Sequence, residues 1–160
     1  MLHPAITILS GCAAALVVSV AAQAQSFDPR RCSSIRNVEV PYDITSRGGS
    51  VVFTRGGERI TVSDRAIVVG AARLEDAALA GRYAASLRSF MANSRRLPLV
   101  SARFGRATAA GREKGAAETP GFLGAMRDMC QSLLEVSEAQ ARIQRAFPAF
   151  VAPIRVTLAD

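Results

Sequence analysis

Seven cationic side chains stand between residues 88 and 114: Arg88, Arg95, Arg96, Arg103, Arg106, Arg112 and Lys114. A single acid, Glu113, opposes them, so this stretch carries six of the chain's seven net positive charges. Guanidinium groups recognise phosphate and carboxylate through a planar two-pronged fork. Arg95, Arg96, Arg103 and Arg106 are therefore the candidate anion-binding residues, although a solvated helix face with ordinary ion pairs explains such a run equally simply. The remaining chemistry is sparse. The only histidine is His3, so beyond residue 24 neither a Ser-His-Asp nor a Cys-His nucleophile can be assembled, and no histidine-ligated metal site can form. Gly48-Gly49 and Gly56-Gly57 lack the following helix that a phosphate loop requires. No catalytic, cofactor-binding or metal residue is assigned, and no cofactor is expected. A hydrolase working with carboxylates alone would draw on Asp43, Glu58, Asp64, Glu75 and Asp76. Glu75 and Asp76 are neighbours at the start of a predicted helix, where they complement the helix dipole, and adjacent helical residues do not face one another.

The first 24 residues contain no Asp, Glu, Lys or Arg, and residues 5–22 are apolar or small. Ala22-Gln23-Ala24 follows, then Gln25 and the charged SFDPRR. A short apolar core ending in small-x-small is a signal peptide, with cleavage between Ala24 and Gln25. The chain is thus expected to be a bacterial protein exported to the periplasm: a signal peptide over 1–24 and a single domain over 25–160. Leu9-Ser10-Gly11-Cys12 also matches a lipobox, which makes a lipoprotein acylated at Cys12 the competing expectation. Two cysteines, Cys32 and Cys130, remain past the signal peptide. An even pair in an oxidising compartment, without a CxxC motif, predicts a structural disulfide. Export sets the partners for the arginines as well. Anionic envelope lipid or an acidic envelope protein is expected, and no nucleic acid, because no aromatic platform interleaves the basic residues.

These residues must be positioned by elements that change period once along the chain. Val38 and Val40, Val51 and Phe53, Ile60 and Val62, then Ile67 and Val69 repeat every second residue, separated by Gly48-Gly49, Gly56-Gly57 and Ser63-Asp64-Arg65. That pattern predicts an antiparallel β-meander over 35–69, wet on one face. From 73 to 148 the spacing is helical. Leu79, Tyr83, Leu87 and Phe90/Met91 mark a helix over 73–93. Pro98 at a first-turn position opens a second over 98–117, and Thr119-Pro120 reads as the cap and first residue of a third over 120–147. Phe122, Met126, Met129, Leu133, Val136, Ile143 and Phe147 line one side of that last helix. Glycines at 105, 111 and 115 also fit a flexible connection. Ile154, Val156 and Leu158 alternate as a final strand open to joining the sheet. The expected fold is α+β, a meander followed by about three helices packed on it.

The order of these features resembles the YggN-like family of exported bacterial proteins, built on a domain of unknown function. The similar residues are Cys32, the β-run from Val38 to Phe53, the segment Arg59-Ile60-Thr61-Val62-Ser63-Asp64-Arg65, and Arg82-Tyr83 on the following helix. Cys130 corresponds to a cysteine in that family's last long helix, whereas Arg65 stands near a position where the family prefers glycine. The resemblance implies a periplasmic, non-enzymatic protein, and it carries over no catalytic or binding residue.

Overall fold

Residues 29–159 are described by the structure, a computed structural model. The chain enters through a short helix, α1 (Pro29–Ser33), and a strand, β1 (Ile35–Glu39). Five strands then follow in sheet order: β2 (Asp43–Arg47), β3 (Ser50–Arg55), β4 (Glu58–Val62), β5 (Ile67–Val69) and β6 (Ala72–Leu74), each antiparallel to the last. The two-residue glycine turns sit at positive φ, 56° and 80° at Gly48-Gly49 and 52° and 89° at Gly56-Gly57, the conformation that tight hairpins demand. The register aligns Ile44, Phe53, Ile60 and Val69 in one row and Val51, Val62, Ile67 and Leu74 in the next. Both rows face the core. Thr45, Val52, Thr61, Val68 and Arg73 form the alternate row on the other face.

Two long helices follow, α2 (Ala77–Ala109) and α3 (Arg112–Ala146), so the expected meander-then-helices architecture holds with the breaks in different places. The strand region reaches Leu74, and Asp76 caps α2 rather than lying inside it, accepting hydrogen bonds from the backbone amides of Ala78 and Leu79 at 3.0 Å each. Neither Pro98 nor Pro120 ends a helix. Each only removes one backbone donor, leaving the carbonyls of Ser94 and Ala116 without their i+4 partner. Thr119 caps nothing and turns its hydroxyl back onto the Gly115 carbonyl (3.0 Å). The reversal falls at Gly111, whose φ of +137° is open only to glycine. Packing outweighs the local punctuation: Phe104 stacks on Phe122 with ring centroids 4.7 Å apart, and Asn93 donates to the Asp128 carbonyl (3.0 Å).

The core joins the sheet rows to Tyr83, Leu87 and Phe90 of α2 and to Leu133, Val136 and Ile143 of α3. No residue of α2 beyond Phe90 is buried. The second half of α2 and the first half of α3 therefore form a two-helix arm. In it a Cβ on Gly115 would stand 2.9 Å from the Thr108 hydroxyl oxygen, so the helices cross there at close approach.

The chain termini are tied together. The final strand, β7 (Arg155–Leu158), does not extend the meander. It pairs antiparallel with β1, Val38 opposite Val156, in a separate two-stranded sheet, which also removes the Val38 run from the meander. Cys32 and Cys130 form a disulfide with Cα atoms 5.7 Å apart, fastening α1 to α3. Before β7 the chain folds inward: Phe150 meets Tyr83 edge to face (5.7 Å), and Ile154 is held by the buried Gln140.

Candidate anion-binding face

Because α2 runs unbroken through Pro98, Arg95, Leu99, Arg103 and Arg106 fall within about 80° of one another around one helix axis, and Arg96 borders the row. All five are exposed. The helix carries no acid anywhere between Ala77 and Ala109, so no i±4 carboxylate screens the row from within. The face points away from α3, since Ser94, Phe104 and Thr108 occupy the opposite side of α2 and meet Met129, Phe122 and Gly115.

The four sequence-predicted arginines are not equivalent. Arg96 reaches across to Asp128 (2.9 Å), and Arg88, on the same line about two turns before Arg95, pairs with Asp64 (2.8 Å) and touches the Gly49 carbonyl (3.5 Å). Both fasten α2 to its neighbours. Arg95, Arg103 and Arg106 have no carboxylate partner among the described residues. Three unpaired guanidinium groups thus share one stripe with Leu99, which at 72% exposure is the most exposed large apolar side chain among the described residues.

The carboxylates proposed from sequence are dispersed. Asp43 lies exposed on the edge strand β2, Asp64 pairs with Arg88, Glu75 with Arg73 (2.6 Å), and Asp76 caps α2. Glu58 accepts from the Tyr42 hydroxyl (3.0 Å) and from Arg55 (3.3 Å), whose guanidinium lies 4.8 Å over the Tyr42 ring. Burial first, and then the Glu58 carboxylate, raise the Tyr42 phenol above its ordinary 10.0. No group of three His, Cys, Asp or Glu able to hold a metal exists among the described residues. Cys12, Ala24 and Gln25, on which the lipidation and cleavage expectations rest, lie outside those residues.

Two features escaped the sequence reading. Met126, assigned to the buried stripe of α3, is 48% exposed and with Leu123 lines an apolar groove of about 460 Å³ beside the Cys32–Cys130 bridge. Phe122 and Met129 of the same stripe are half-buried, so the helical period marked the face but not which of its positions a neighbour covers. Gln140, 3% exposed, is the other: no motif announces a buried amide. None of the described helices is long and apolar enough to cross a membrane. No protein-family model matches the chain, and comparison with curated proteins and with solved structures finds no similar one.

Proposed function

We propose that this chain is an exported, non-enzymatic protein of the bacterial envelope that holds an anionic partner on the outward face of α2. The partner is envelope lipid or an acidic envelope protein, and Arg95, Arg103 and Arg106 supply the contacts. The observation that carries the reading is the row of three unpaired guanidinium groups on a helix without a single acid. Cations left without a carboxylate partner among the described residues, and set apart from the helix's packed side, keep their full capacity for phosphate or carboxylate. The scattered carboxylates, each engaged locally apart from Asp43, favour binding over hydrolysis. The signal-like segment 1–24 supports a place in the periplasm, with Cys12 acylation as the membrane-tethered alternative.

The test is association with washed envelope membranes across a salt series. The wild-type chain is expected to be released progressively as salt rises, and the variant R95E/R103E/R106E to associate at least about tenfold less at low salt. Equal retention of the variant and the wild type sinks the reading.

A further inference from the structure

We infer that the face of α2 centred on Leu99 is a membrane-surface contact, with anionic phospholipid as its occupant and the Leu99 side chain set below the phosphate layer. The inference rests on the anion-binding reading above and narrows its partner. Leu99 projects at 72% exposure from the middle of the basic row, with Arg95 four residues before it, Arg103 four after and Arg106 seven after. Arginine stems are apolar and long enough to lie along the interface while their guanidinium groups hold phosphates, so a leucine among them is presented at the depth where acyl chains begin.

The same stripe fits an acidic protein poorly. A helix that docks in a protein groove is anchored by several large apolar residues at i, i+3/4 and i+7. Here the positions one and two turns from Leu99 are Ala92, Arg95, Arg96, Ala102, Arg103 and Arg106, leaving one large apolar anchor. The face is also the side of the arm turned away from α3. A sheet of mobile phosphate headgroups conforms to such an outward row of cations without any preformed groove.

The sequence contains no tryptophan, so Leu99→Trp places the protein's only indole at the proposed depth. The full chain carrying this substitution is mixed with phosphatidylglycerol/phosphatidylethanolamine vesicles and with phosphatidylcholine vesicles, after circular dichroism has shown unchanged helix content. The expected result is a blue-shifted emission on the anionic vesicles, quenched by lipids brominated near the headgroup, with partition about tenfold weaker on phosphatidylcholine. Adding R95E/R103E/R106E abolishes the shift, and Leu99→Glu in an otherwise wild-type chain lowers co-sedimentation. Sedimentation with vesicles at unchanged emission overturns the inference, because the indole is then not at the contact. Capture by immobilised polyglutamate without vesicle binding overturns it too, while leaving the anion-binding reading intact. Binding to neither, with no effect of charge reversal, removes both.

Discussion

Replacing Gln140 by leucine tests whether the buried amide locks the chain's return path. Its side-chain oxygen accepts from the Ile154 amide (3.1 Å) and from the Tyr83 hydroxyl (3.0 Å), and its nitrogen donates to the Ile154 carbonyl (2.6 Å). Gln140, Tyr83 and Ile154 are all buried, so water cannot replace what leucine removes. Three polar groups are stranded, at about 1–3 kcal/mol each, and leucine recovers part of that through apolar burial. A net loss of about 3–6 kcal/mol follows, large against the roughly 5–15 kcal/mol that holds a domain of this size together. Tyr83→Phe removes one of the three bonds and deletes the hydroxyl with it, so it costs only about 1 kcal/mol. In the double variant that hydroxyl is no longer there to strand, so the two losses sum to less than their separate values by about 1 kcal/mol. Urea unfolding followed by circular dichroism measures all four stabilities at once. A Gln140→Leu chain within about 1 kcal/mol of wild type, or a strictly additive cycle, would refute the argument.

The disulfide closes a loop spanning 98 residues, and in the chain-entropy model its loss through Cys32→Ser/Cys130→Ser removes about 4–5 kcal/mol, read as a lower urea midpoint that reductant no longer changes. The only tyrosines, Tyr42 and Tyr83, are both raised above the ordinary 10.0, Tyr83 well above it by burial alone. Folding thus favours their protonated forms, so their contribution is fully present below pH 10.0 and declines as pH climbs toward the folded values. Phenolate absorbance should rise together with the loss of helical signal, and Tyr83 ionising in a still-folded chain would contradict its burial. Pro98 is exposed in mid-helix, so Pro98→Ala restores a backbone donor to the Ser94 carbonyl and should stabilise the arm by about 1–3 kcal/mol, seen as slower amide exchange near residues 94–98.

The strands were legible because their information is local. Val51, Phe53, Ile60 and Val62 each alternate with a polar or outward residue, and two glycine pairs set the turns, so period and punctuation agree. Asp76 was read only in part: its acidity suited a helix start, but which residue is the cap depends on where β6 ends. The helical half was harder to read because its punctuation is outvoted. Pro98, Thr119-Pro120 and Gly111 are all admissible boundaries by local rules, and only Gly111 is used. The stacking of Phe104 on Phe122 and the close crossing at Gly115 join two unbroken helices that run past both prolines. The disulfide was legible from cysteine count alone, whereas the pairing of β1 with β7 was not, since no local signal links segments at opposite ends of the chain.

This difference bears directly on function. Had the chain broken at Pro98, Arg95 and Arg96 would have belonged to one helix and Arg103 and Arg106 to another, and their shared charge would have said little about a common surface. A continuous α2 fixes their relative azimuth, and the arm's packing decides which of them remain available. Arg96 is drawn aside to Asp128, and Arg95, Arg103 and Arg106 are left around Leu99. Among the described residues the arm's contacts fall on its inner side, and Arg95, Leu99, Arg103 and Arg106 stand exposed on the outward stripe. Charge reversal there should therefore leave stability nearly unchanged, within about 0.5 kcal/mol for exposed substitutions, while removing envelope association. That separation of stability from binding is what distinguishes a binding face from the solvated helix surface that the same arginines would otherwise represent.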